Sequence, residues 1–150
     1  MTGDDQANAR QAIRHLQSVY NTSGDRGRID ALIATFTPDG VLEAGGGSHV
    51  GQTAILEFLT GVVATGGETI DLHGSRHHLT TSRIEIEAPD RAQGWTYFFV
   101  MRRGRVLQEG VYVDRYERRT DAWRIAHRRV KIIWEDETAA ISRASERQAP

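Results

Sequence analysis

His77 and His78 stand side by side at the start of the segment Arg76–Ala88, which ends in the alternation Ile84-Glu85-Ile86-Glu87. Such alternation marks a strand with one buried face. Successive strand side chains point to opposite faces, so one imidazole turns towards the core and the other away. An imidazole facing an apolar interior can take a proton near neutral pH, the task of a general base. The bland alternative is a hydrogen-bonded core histidine, and residue types alone leave open which of the two points inward. Asp25 lies just past the first helical segment and has two readings. It caps the N-terminus of the next helix, flanked by Ser23 and Gly27, or it is a buried carboxylate that holds an imidazole in one tautomer.

Other chemistries find less support. With no cysteine there is no thiol nucleophile, disulfide framework or thiolate-bound metal. His73 and His77 are four apart, but no third ligand has suitable spacing and Gly74 interrupts any helix, so no metal is expected. Gly45-Gly46-Gly47 lacks the Lys-Ser/Thr of a phosphate loop. Arg102-Arg103-Gly104-Arg105 reads as a solvated hairpin tip, and the arginines between 115 and 129 as the wet face of a sheet. A net charge of −1 supplies no field for nucleic acid or a membrane surface, and neither partner is expected. No apolar run approaches the ~20 residues of a membrane span. The polar, acidic start Met1-Thr2-Gly3-Asp4-Asp5 is unlike a secretory signal, so the expected location is cytoplasmic.

The elements that must position these side chains follow from periodicity. With 150 residues, 39% of them hydrophobic, the chain is long enough for one domain with its own core, read as 1–150 with 136–150 as a frayed tail. Three helices are predicted: Asp4–Tyr20, broken by Asn21-Thr22-Ser23-Gly24; Ile29–Phe36; and Thr53–Val63, ended by Gly66-Gly67. Thr37-Pro38-Asp39-Gly40 reads as a turn, Val41–Glu43 as a short strand and Ala44–Ser48 as a loop tip. Strands follow over Arg76–Ala88, Trp95–Met101, Val106–Tyr116 and Trp123–Trp134, with turns at Arg103-Gly104 and Thr120-Asp121. The layout is α+β: a curved, mixed but mostly antiparallel sheet over three N-terminal helices, enclosing a cavity for a small molecule. Trp95, Tyr97 and Phe99 wall that cavity if their strand face turns inward, and Tyr112 joins them as a substrate contact.

Three collinear stretches then resemble one known family. Tyr20–Leu32 resembles the opening motif of SnoaL-like proteins, in the nuclear-transport-factor-like superfamily of cone-shaped α+β barrels. Arg76-His77-His78-Leu79-Thr80 is similar to that family's histidine strand, and Tyr112–Ile125 to its last hairpin. Within the family the pattern is nearest to scytalone dehydratase, hexachlorocyclohexane dehydrochlorinase and the bile-acid dehydratases. The resemblance implies an Asp–His dyad on Asp25 and His77, a pocket tyrosine at Tyr20 and a pocket arginine at Arg128. It implies a cofactor-independent lyase that removes a proton and expels a β-leaving group from a small apolar, polyketide- or steroid-like substrate. The alternatives are a ketosteroid-isomerase-like isomerase or polyketide cyclase, for which Asp114 is the second acid to consider, and a non-catalytic binding domain. Strand parity sets Arg128 opposite Trp123 and Ile125, so it needs a bulge to share their face. Apolar residues on both faces of Trp95–Val100 suggest a homo-oligomer, dimer or trimer.

Overall fold

The computed structural model describes residues 1–65 and 74–138, and in it the first helix outruns its expected end. Helix α1 covers Gly3–Asp25, opened by a capping box in which Thr2 and Asp5 satisfy each other's backbone N–H groups. Asn21 to Gly24 do not break it. The stop is Gly27, with φ 68°. Its N–H donates to the Gly24 carbonyl and that of Arg28 to the Ser23 carbonyl, the paired bonds of a glycine-terminated helix end. Gly24 serves packing instead: a Cβ there would lie 3.1 Å from Leu32 Cδ1. Helix α2 is short, Ile29–Ile33, and has no side-chain cap, so Asp25 does not cap it.

Strand β1 runs Phe36–Ala44, straight through the stretch expected to turn at Pro38-Asp39-Gly40. The expected loop tip is a hairpin into β2, Gly47–Val50. Gly45 and Gly46 form its two-residue turn with φ of 60° and 77°, a conformation glycine adopts without steric cost. Helix α3 spans Gln52–Thr65. Then come β3 (Arg76–Ala88), β4 (Arg91–Arg102), β5 (Arg105–Arg119) and β6 (Ala122–Glu135), joined by tight turns. The Gly66-Gly67 stop, His73 and the tail beyond Thr138 lie outside the described residues. Asp136, at the start of the stretch expected to fray, is buried; its N–H donates to the Leu107 carbonyl and its carboxylate accepts from Arg105.

The six strands form one mixed sheet in the order β2-β1-β6-β5-β4-β3. Among the described strands only β1 and β6 pair in parallel. The sheet does not close: β2 and β3 are its edges. Ile13, Leu16 and Tyr20 of α1 pack with Leu32, Phe36, Ile55, Ile84, Phe98, Val100, Tyr112 and Ile125 into one buried core. No helix among the described residues is long and apolar enough to cross a membrane.

Two irregularities decide what faces that core. In β3, Leu79 pairs with Phe98 and Ser82 with Thr96, so β3 carries one extra residue there. His77 and Leu79 therefore share the inner face with Ile84 despite opposite parity. In β6, Tyr116 pairs with Ile125 and Arg115 with His127, which leaves Ala126 as the extra residue. This is the bulge that Arg128 required, and it places Arg128 inward beside Trp123 and Ile125.

Candidate active site

The last residue of α1 and the second of β3 meet. Asp25 Oδ1 lies 2.7 Å from Nδ1 of His77, and Asp25 Oδ2 accepts the backbone N–H of His77 at 3.0 Å. One carboxylate thus grips both the ring and the main chain. The Asp25 side chain is 8% exposed and that of His77 20%. An ionised carboxylate only accepts, so the ring proton sits on Nδ1 and the lone pair on Nε2. Among the described residues Nε2 has no partner. His78 points the other way, exposed, and stacks on Phe99 with ring centroids 4.9 Å apart.

Behind the Asp25–His77 pair lies a buried aromatic and ionic cluster. Phe98 is 6.1 Å from the His77 ring and stacks on Tyr112 at 4.3 Å. Gly110, opposite Phe98, leaves room for this: a Cβ there would lie 2.6 Å from the Phe98 ring and from the Lys131 carbonyl. The Arg128 guanidinium sits between two rings, 4.2 Å from the centre of Tyr20 and 4.0 Å from that of Tyr112. Directly across the strand pair, Asp114 takes Nε and Nη2 of Arg128, both at 2.8 Å. Asp114 also accepts the Tyr116 hydroxyl at 2.5 Å, and Gln17 donates to Tyr116 and to Thr96. Tyr112 donates to Asn21 Oδ1 at 3.1 Å.

Burial governs the electrostatics here. It pushes the Tyr20 hydroxyl above its ordinary range, and Tyr112 and Tyr116 well above theirs. For Arg128, burial is the largest influence and disfavours the charge, but the charge and hydrogen bonds of Asp114 more than reverse it. The guanidinium is held charged well above its usual range. Asp114, with three hydrogen bonds on its two oxygens, is not free to act as a second base.

Of the expected site residues, Asp25 and His77 touch each other, and Tyr20, Tyr112 and Arg128 form one cluster in which the guanidinium lies over both rings and the rings meet edge to face. Trp95, Tyr97 and Phe99 must be corrected. Residues 92, 94, 96, 98 and 100 carry the inner face of β4, so these three stand on the outer face, where Tyr97 is 57% exposed. Both faces of β4 carry aromatic residues, so residue type could not choose between them; Phe98 is the aromatic that faces inward. Sequence reasoning also passed over Gln17 and Asn21. Their signal was present: with Asp25 they recur every four residues on one face of α1. Two surface clefts of about 490 and 390 Å³ share Ala12, Asp121 and Trp123 along the other side of α1, and neither includes Asp25 or His77.

The chain is similar to known proteins over most of its length. A family model described as a SnoaL-like domain matches residues 5–129. No curated protein matches it. Among solved structures, the hexachlorocyclohexane dehydrochlorinase LinA-type3 of Novosphingobium barchaimii LL02 is similar at 21% identity, over 90% of this chain and 93% of that one, with a TM-score of 0.76. A protein of Novosphingobium aromaticivorans DSM 12444 described as a candidate scytalone dehydratase is similar at 18% identity over 91% of each chain, TM-score 0.76. Rv3472 of Mycobacterium tuberculosis, of unknown function, is similar at 23% identity over 93% of this chain and 87% of that one, TM-score 0.75. At such identities the structures speak for the fold alone, while the sequence model spans nearly the whole described chain. The chain belongs to the SnoaL-like family.

Proposed function

We propose that the protein is a cofactor-independent lyase that eliminates a β-leaving group, as a dehydratase does, from a small, largely apolar substrate. The observation that carries this reading is the double grip of Asp25 on His77, at ring nitrogen and main chain. It supplies a base with a fixed tautomer, an Nε2 without a partner among the described residues and a partner for the charge the ring gains. Nε2 takes a proton from the carbon next to a carbonyl group. The electron pair of the broken C–H bond passes into the enolate. It then closes the carbon–carbon double bond as the β C–O bond breaks, and the departing hydroxyl takes the proton from the imidazolium and leaves as water. Tyr20, Phe98, Tyr112 and Arg128 flank the reacting carbon. Dehydrochlorinase and dehydratase names among the similar structures support this class of chemistry. Isomerisation by a carboxylate base is less well supported, because Asp114 is committed to Arg128 and Tyr116.

The test is a panel of β-hydroxy ketones followed by the absorbance of the conjugated product. His77→Ala is expected to lower turnover by about 10²–10⁴-fold, the usual contribution of a general base. Asp25→Asn is expected to lower it too, with substrate binding largely kept in both. Turnover undiminished in His77→Ala would remove the lyase reading.

A further inference from the structure

Two buried donors beside the dyad make no hydrogen bond to an acceptor among the described residues. They are Asn21 Nδ2 and Arg128 Nη1. Both side chains are enclosed, with Asn21 5% and Arg128 0% exposed. Their other polar atoms are satisfied: Nε and Nη2 of Arg128 by Asp114, and Asn21 Oδ1 by the Tyr112 hydroxyl. Buried polar groups are nearly always paired, and an unpaired donor carries a desolvation cost that the fold must absorb. Holding the Tyr112 hydroxyl needs only an acceptor at position 21; the amide adds an N–H that the fold leaves unused. Both orphans border a single ring, since Arg128 lies on the face of Tyr112 and Asn21 holds its hydroxyl. Asn21 also stands one helical turn before Asp25, on the same face of α1.

We propose that Asn21 Nδ2 and Arg128 Nη1 form a two-donor subsite for an acceptor oxygen of the substrate, a carbonyl or a carboxylate. The inference rests on the lyase reading and deepens it. The oxygen sits on the group next to the carbon that gives its proton to His77. As the C–H pair moves onto that oxygen, the two donors meet charge that is greater in the transition state than in the ground state. Asn21 is then a specificity-determining residue, and a compound of similar outline without such an oxygen leaves both donors unpaired on binding.

Three probes of one outline test this: benzoate, acetophenone and cumene, titrated calorimetrically into the full chain. One oxygen probe at least is expected to bind about tenfold or more tightly than cumene, the worth of one good hydrogen bond to a buried or charged donor. Which oxygen probe wins separates carboxylate from carbonyl. In Asn21→Asp, which keeps an acceptor for Tyr112, and in Asn21→Ala, most of that preference is expected to go while cumene binding stays. A variant that loses cumene as well is misfolded, and the other variant, or the wild-type preference alone, then decides. Equal binding of the three probes, a preference that survives both substitutions, or no binding of any probe overturns the subsite. The same titration in His77→Ala separates the two proposals. An oxygen preference retained there, in a protein that catalyses no elimination even with His77 present, overturns the lyase reading and leaves the subsite standing.

Discussion

Asp114 and Arg128 face each other across β5 and β6 with no exposed surface on Arg128, so neither charge has water to fall back on. Removing one partner is far worse than removing both. Asp114→Ala strands a buried guanidinium and is predicted to cost about 3–5 kcal/mol, measured as a loss of urea-unfolding free energy. The double replacement Asp114→Leu with Arg128→Met is predicted to cost much less, because an apolar pair of similar volume needs no counter-charge. A double loss equal to the sum of the single ones would show that the pair is not coupled. At this scale the sequence was half legible. Asp25 and His77 were readable as types at plausible spacing, and Arg128 through resemblance. The partner of Arg128 was not, since a cross-strand neighbour depends on register, which a one-residue slip reverses.

The placing of those side chains depends on how two elements depart from regularity. Gly27 ends α1 in the left-handed region, two residues after Asp25. Gly27→Ala is predicted to destabilise by about 1–2 kcal/mol, the cost of a Cβ in that conformation. It should also lower turnover, because the last turn that aims Asp25 loosens. Thermal unfolding and the elimination assay check the two effects. The bulge at Ala126 is the second device. Deleting Ala126 leaves Trp123, Ile125 and Arg128 in strict alternation on the inner face, still opposite their partners on β5. Cooperative unfolding in urea is therefore predicted to survive the deletion. Its loss would mean that the bend at the bulge, and not the facing alone, is needed to seat β6 between its neighbours. Helix periodicity placed α1 and α3 well, and turn residues placed the hairpins of the second half. The bulges carry no glycine or proline signal; the one in β6 was expected only because parity set Arg128 against Trp123 and Ile125, and the one in β3 was not expected at all.

At the scale of the whole molecule, the sheet is assembled from distant parts of the chain. The parallel pair β1·β6 joins residues 41–43 to 127–129. Glu43 sits on this seam, accepting from Arg129 Nε at 2.5 Å and lying 2.9 Å from His127 Nε2. The Arg129 hydrogen bond first, and then that of His127, lower its carboxyl from the ordinary value of 4.5 to about 2. Because the folded state holds this proton less readily than the unfolded one, its stabilisation is present in full above about pH 4.5 and is lost as pH falls towards 2. Urea midpoints for the wild type and Glu43→Gln are therefore expected to differ from pH 5 upward and to converge near pH 2. A difference that persists at pH 2 would place the effect in packing rather than in the charge. β2 went unread because three of its four residues, Gly47, Ser48 and His49, are polar or small, and only pairing with β1 makes the segment a strand.

By itself the sequence determined the class of the fold, the order of most elements and the residue types able to move a proton. Those follow from local periodicity, turn chemistry and composition, which act over a few residues. Only the tertiary structure decided that Asp25 leaves the helix cap to hold His77, that Phe98 and not Phe99 faces inward, and that Arg128 is enclosed by Tyr20, Tyr112 and Asp114. Each of those outcomes is a matter of register between strands and of where one extra residue is inserted. Register is set by the packing of whole faces, and no window of the chain contains both sides of that contact.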